Sequence, residues 1–483
     1  VYDNDDTNWL LGKPNTVRIA ETDPGTSGPA LREINYEYNT TRPWLLFKKK
    51  FVHYDENAAY NEYVTEYDYD AAGNMIMEKD PELKVTRIEY DSVGMFPQYI
   101  IKCYGTADAQ RVYNSYDAGL GVVKTESIPY KGAGNPPTGH PYTDYNYDSL
   151  GRLSSVIYPD GSSQTYTRVI NASETSVTIQ ASSLPAKKVT YDQFGRPVKE
   201  EVSNIVSNTI YDNAGRVIQK SLPYFSGGNI DWTSYTYHPQ RGYLIDQQNP
   251  DNTHIGNALN GLTQIITDEK LRNKIVAKDS LGRIKSVTEP SGGGTAYYTY
   301  DIFDNLTEVR DAHNKITTIE YDDLGRKILM DDPYMGIWEY DYYKNGALKE
   351  QTDAQNRVTT ITYDALNRKK TETSEYYDSS NQYITVLVDY GYDETGIDSY
   401  NVGQLTSVTR TETGKPQSII AYHYDAMGRN TIVIRTIDGV SYTTNVGYDL
   451  AGRMNYIKYP DTNQTEYQYV YDTLGNLEQV NEV

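Results

Sequence analysis

Three observations predict an all-β chain made of tandem hairpins: one short spelling that recurs from end to end, strand-length segments of β-branched and aromatic residues between the copies, and 49 Tyr against 6 Phe. Thr317 to Pro333 reads TTIEYDDLGRKILMDDP, and the following unit reads TTITYDALNRKKTET. Self-similarity at a short fixed period marks a repeat architecture, in which each unit buries its surface only against its neighbours.

Tyr-Asp followed three residues later by Gly occurs at Tyr69, Asp70 and Gly73, at Tyr90, Asp91 and Gly94, and at Tyr147, Asp148 and Gly151. It returns at Tyr191, Asp192 and Gly195, at Tyr211, Asp212 and Gly215, and at Tyr321, Asp322 and Gly325. The later copies are Tyr363, Asp364 and Asn367, then Tyr424, Asp425 and Gly428, Tyr448, Asp449 and Gly452, and Tyr471, Asp472 and Gly475. An arginine closes the loop at Arg152, Arg196, Arg216, Arg326, Arg368, Arg429 and Arg453. Counting degenerate copies, roughly sixteen units of about 21 residues are expected.

A type I turn favours Asp at its first position, and the common three-residue hairpin loop adds a residue in the left-handed region, where Gly is cheapest. Asn and Asp also reach positive φ, and they take the Gly position at Asn367 and Asp304. A second turn of like chemistry falls halfway through each unit, at Asp311 to Asn314, Asp353 to Asn356 and Pro159 to Gly161. Each unit therefore reads strand, turn, strand, turn. Apolar or Tyr residues two before the repeated Tyr, such as Tyr67, Ile88, Ile319, Ile361 and Val446, predict ladders of side chains from hairpin to hairpin. The loop Asp and Arg are expected to face each other across the hairpin, each exposed pair contributing tenths of a kcal/mol.

A lone hairpin is unstable in water, so neighbours must pair edge to edge. Some thirty strands would make a ribbon roughly 150 Å wide that has to twist and coil. Large hydrophobes are too few to fill its inside, which predicts a spiralling wall around a lumen. A β-propeller would need a blade period of about 40 residues.

By regularity the chain divides into an entry segment 1–66, a repeat array 67–220, an irregular insert or longer repeats 221–278, the most regular array 279–376, an extended repeat with long loops 377–423, and a last array 424–483.

The net charge of −21 disfavours nucleic acid and anionic membrane as partners, since both need clustered Lys and Arg. No apolar run is long enough to insert in a membrane as a helix. Val1 opens the chain in place of Met, so an upstream part is expected. The single Cys103 rules out an internal disulfide and is expected to be a buried free thiol. Neither a catalytic nor a metal-ligating spacing is found, and no cofactor is expected. His313 stands where the next unit has Gln355, which marks a turn residue. The glycines of Ser291 to Gly294 also read as a turn, and the acidic Asp3 to Asp6 lacks the offsets of a calcium loop.

The YDxxGR units resemble the YD, or Rhs, repeats of bacterial Rhs proteins, of the B and C components of bacterial toxin complexes, and of teneurins. The stretches Asn8 to Ile19, Glu66 to Pro97 and Met330 to Ala354 are similar to the middle of toxin-complex B components and their SpvB-containing relatives. The resemblance implies a secreted or surface-delivered bacterial shell that encloses a toxin or effector polypeptide, with neighbouring shell or propeller segments as further partners. It implies no self-cleavage here, because Asp23-Pro24, Asp80-Pro81 and Asp332-Pro333 do not form the doubled DPxG of the family's core region. Adhesion or carbohydrate binding, with a glycan on the Tyr-rich surface, is the alternative function, and a hydrolase is a distant third.

Overall fold

The structure, a computed structural model, describes residues 2–5, 10–14, 16–21, 30–39, 41–42, 44–53, 61–172, 174–394 and 400–483. Asp6 and Asp23-Pro24, singled out in the sequence, lie outside them. Forty antiparallel strands join in one unclosed sheet, and the hairpin Tyr2–Asp5 with Leu10–Pro14 forms a separate two-stranded sheet. The first strand of the large sheet, Thr16–Glu21, pairs with Ala30–Tyr38, and the last, Leu477–Glu482, pairs with Glu466–Tyr471. Among the described residues those two end strands do not pair with each other.

The strand count exceeds the thirty expected because many hairpins lack the motif. Asp117 to Gly121, Gly261-Leu262 and Tyr343 to Ala347 turn the chain without YDxxG. Strands also continue through 232–278 in the same ladder. The glycines at Ser291 to Gly294 lie in a 3-10 turn between Ile284–Thr288 and Thr295–Tyr300.

Turn chemistry follows the backbone. Asn314, Asn356, Asn367 and Asp304 have φ of 60°, 57°, 62° and 66° at the position Gly takes elsewhere. Neighbouring pairings are staggered along a strand: Gln110–Asp117 pairs with Pro97–Lys102 through its first half and with Val122–Ser127 through its second, and Ile205–Tyr211 does the same with Pro197–Val202 and Val217–Ser221.

The ribbon is one layer thick. Its accessible surface is 28767 Å² at 54.8 kDa, against about 18,000 Å² for a filled monomer of that mass. Few apolar side chains are buried, among them Ile101, Val156, Val206 and Ile361, and most of the sheet is half-buried on both faces. This is a shell without a filled core.

The turn Asp268 to Arg272 repeats the loop chemistry with Leu271 in the glycine position, at φ 60° and 79% exposed. A bulky residue pays for the left-handed region. Leu271→Gly should stabilise the chain by about 0.5–1 kcal/mol, measured as slower hydrogen exchange in strands 263–267 and 273–278.

Candidate functional site: the wall and its seam

Asp322 shows why the loop needs its residues. Its Oδ1 accepts the backbone N–H of Leu324 at 3.0 Å and of Arg326 at 2.8 Å, while Oδ2 accepts Arg326 Nε at 2.6 Å. Gly325 N–H donates to the Asp322 carbonyl at 2.8 Å. The same clamp joins Arg152 to Asp148, Arg196 to Asp192, Arg216 to Asp212, Arg368 to Asp364, Arg429 to Asp425 and Arg453 to Asp449. Backbone and guanidinium donors from Arg216 hold Asp212 below the ordinary carboxylate range. Where Asn replaces Arg, its amide does the same work: Asn74 Nδ2 donates to Asp70 Oδ2 at 2.9 Å and to the Gly94 carbonyl of the next loop at 2.8 Å.

The Arg does more than face its Asp across the hairpin. Its guanidinium also lies over the Tyr ring of the following hairpin, as Arg326 over Tyr342 at 4.9 Å, Arg429 over Tyr448 at 4.8 Å and Arg453 over Tyr471 at 4.2 Å. A Cβ on Gly452 would meet the preceding unit's guanidinium at an ordinary 3.6 Å, and Gly94, Gly195 and Gly282 face open space, so the loop glycine is wanted for its φ.

The tyrosine hydroxyl has a partner that sequence reasoning missed. Each loop is followed by a β-bulge: Glu320 faces Leu329 while Tyr321 faces Lys327, which leaves Ile328 over. A bulge interrupts the ladder locally, and the next hairpin's Tyr supplies the donor there. Tyr342 OH donates to the Lys327 carbonyl at 2.7 Å, Tyr321 OH to Leu306 at 3.0 Å and Tyr363 OH to Leu348 at 3.0 Å. Tyr90, Tyr116, Tyr147, Tyr211, Tyr237, Tyr424, Tyr448 and Tyr471 do the same. Where no Tyr arrives, Arg168 Nη1 serves the Leu153 carbonyl at 2.6 Å and Asn257 Nδ2 serves Leu244 at 2.8 Å. Burial pushes the phenols of Tyr321, Tyr342 and Tyr363 up, so they keep the proton they donate.

All repeated loops lie on one edge of the ribbon, the loop edge, and the second turns lie on the other, the turn edge. The ribbon then meets itself, loop edge on turn edge. Lys344 N–H donates to Glu82, Cys103 Sγ–H to the Ala365 carbonyl, Arg326 to Tyr63 OH, Arg429 to Asp160 and Gln110 to Asp393, between residues 262 to 283 apart in sequence. That nearly constant offset is one circuit of a spiral. It spans about 25 strands, which at about 4.8 Å each gives a girth of roughly 120 Å and a width of roughly 40 Å.

Asp393 is the seam's most buried charge, its side chain 2% exposed. Arg368 grips both its oxygens at 3.0 and 2.9 Å, and Gln110 Nε2 at 2.9 Å, Gly403 N–H at 2.6 Å and Lys131 Nζ at 3.4 Å complete its shell. Burial opposes the charge, but Arg368 and the Gly403 N–H outweigh it and hold the carboxyl below its ordinary value. Cys103 is buried at this seam, beside a groove of about 280 Å³ between Lys84, Lys102 and Asn367.

The histidines are dispersed. His238 stacks on Tyr243, His254 pairs with Asp246 and His313 sits in its turn. Among the described residues no group of three or more His, Cys, Asp or Glu is gathered to hold a metal ion.

Residues 279–316 and 342–379 match the family model described as RHS Repeat. Those two stretches carry RHS repeats. A comparison with the curated proteins found no match. Among solved structures, the Photorhabdus luminescens Tc holotoxin pore aligns with 96% of this chain and 29% of its own, at 13% identity and TM-score 0.54. The crystal structures of TcdB2-TccC3-Cdc42 and TcdB2-TccC3 align with 97% of this chain, and with 32% and 31% of theirs, at 12% and 14% identity and TM-scores of 0.45 and 0.43. The holotoxin thus shares the fold of the RHS wall, and the chain spans about a third of the structures it matches.

Two outcomes follow. Tyr342→Phe should cost about 1 kcal/mol, because the Lys327 carbonyl loses its donor, and should speed hydrogen exchange in 327–342; Tyr297→Phe, on an exposed ring, should change neither. Asp393→Asn should weaken the seam by about 2 kcal/mol, because Arg368, which keeps Asp364, and Lys131 lose the anion they share. Because the folded carboxyl titrates low, Asp393's contribution is complete above the unfolded value of about 3.9 and fades as pH falls through the folded one. A pH series of protease cutting at 400–404 should therefore lose its acid step in Asp393→Asn.

Proposed function

We propose that this chain is a wall segment of a bacterial toxin-complex-type shell that encloses a toxic or unfolded polypeptide until delivery, and that it acts without catalysis. One observation carries the reading: a one-layer sheet that returns onto its own edge after a circuit and has far more surface than a filled body of its mass. A sheet that curves shut without filling its inside is a container. The shared fold with the Tc holotoxin pore supports the same reading.

The partners proposed are the enclosed polypeptide and adjoining wall or propeller segments, and the setting is secreted or at the cell surface. Adhesion through Tyr-rich surfaces draws less support, because the repeated phenols spend their hydroxyls on wall carbonyls and many of their faces on arginine.

Limited proteolysis of the natural full-length polypeptide, mapped by mass spectrometry, tests enclosure. The enclosed sequence should be cut at least tenfold more slowly than the same sequence as a free peptide, and the ratio should fall towards one when the seam is opened by Asp393→Asn. Equal rates in the intact protein would defeat the proposal.

A further inference from the structure

One hollow in the wall is built differently from the rest. Strand Ile205–Tyr211 is paired along its second half by Val217–Ser221 and along its first half by the short Tyr224–Phe225. Between those two partners the chain steps out of the ladder at Leu222-Pro223, where proline has no N–H to give a neighbouring strand. The step is held by Asn208 N–H on Ser221 Oγ and by Leu222 N–H on the Asp231 carbonyl, both at 2.8 Å. Beside it a groove of about 520 Å³ opens on one face of the sheet.

Register fixes which side chains line the groove. Ser207 faces Glu200, Thr209 faces Lys220 and Lys220 faces Thr233, with Tyr235 two residues further along the same face. Lys220 therefore stands between two threonines, with a serine and a phenol beside them. Elsewhere on the ribbon hydroxyls are spent: Thr359 bonds Ser374, Thr362 bonds Thr371 and the repeated tyrosines bond bulge carbonyls. Among the described residues Lys220 Nζ and the hydroxyls of Ser207, Thr209, Thr233 and Tyr235 have no such partner. The carboxylate of the groove, Glu200, is already paired with Lys187 at 2.8 Å. The groove thus carries an uncompensated positive charge on a chain of net charge −21.

That set of groups selects a ligand. A hydroxyl both donates and accepts, which suits a partner whose own polar groups do both, and Pro197, Leu222 and Pro223 present apolar surface to the C–H face of a ring. The main chain of this sheet is committed to its ladder, so the groove lacks the free N–H and C=O groups by which a sheet edge holds an extended peptide. Lys220 supplies a charge-assisted bond to an anionic group. The volume accommodates roughly two sugar rings. We propose that this groove binds an acidic saccharide, with the sugar hydroxyls on Ser207, Thr209, Thr233 and Tyr235 and the carboxylate on Lys220. The site does not rest on enclosure, and the failure of either leaves the other standing.

Calorimetric titration of the whole chain with digalacturonate provides the test, with uncharged galactobiose and inorganic sulfate as the other arms. Digalacturonate should bind with a Kd below about 1 mM, at least tenfold more tightly than galactobiose or sulfate. Lys220→Met should abolish that preference and Lys220→Arg should keep it. Thr209→Val/Thr233→Val should weaken both sugars at least tenfold, with circular dichroism unchanged. Lys285→Met, on an exposed lysine outside the groove, should change nothing. Digalacturonate that binds no more tightly than galactobiose or sulfate, or a Lys220→Met chain that binds it as the wild type does, overturns the proposal.

Discussion

The wall depends on a hydrogen bond from a tyrosine hydroxyl to the main-chain carbonyl of the preceding hairpin's bulge. Each loop forces a bulge, each bulge interrupts the ladder, and Tyr from the next unit restores a donor at that place. A rigid ring with a polar end reaches from a neighbouring strand and stays neutral while half-buried, and Phe has no such donor, which is why Tyr so outnumbers Phe. Arg ties the same Tyr to the previous loop from the other side. A neutral hydrogen bond and an exposed cation–π contact are each worth about 1 kcal/mol or less. Repeated along the ribbon they couple every hairpin to its neighbour, and stability becomes a sum of nearest-neighbour terms.

Nearest-neighbour coupling makes a ribbon and does not close it. Closure comes from the seam, where two chemically different edges meet at a nearly constant offset. The loop edge offers arginines, N–H groups and carbonyls, and the turn edge answers with carboxylates, Lys84 and the Cys103 thiol. The most buried charge of the seam, Asp393, is shared among two cations and two further donors, so its desolvation is offset by a full shell of partners. Because the edges differ, the ribbon rises as it turns.

A wall of half-buried polar hairpins differs from a folded domain in having no dry interior to offer. Its most exposed apolar side chains sit in loop and turn tips, such as Val93, Leu150, Phe194, Leu271 and Tyr334.

Hairpin loops, their left-handed residues and the strand segments were legible because each depends on a handful of adjacent residues whose backbone preferences are local: Asp322 and Gly325 specify their turn wherever it lies in space. The hairpin at Asp117 to Gly121 escaped notice since its loop glycine falls one residue later than in YDxxG. The Tyr-to-bulge bond left no mark in the spelling of one unit, because its donor belongs to the next. Residue order by itself determined an all-β ribbon of polar hairpins, whereas the circuit length and the pairing of Asp393 with Gln110 and Lys131 were decided only in three dimensions. Small twists accumulate over about 25 strands before the edges meet, and no local spelling records that sum.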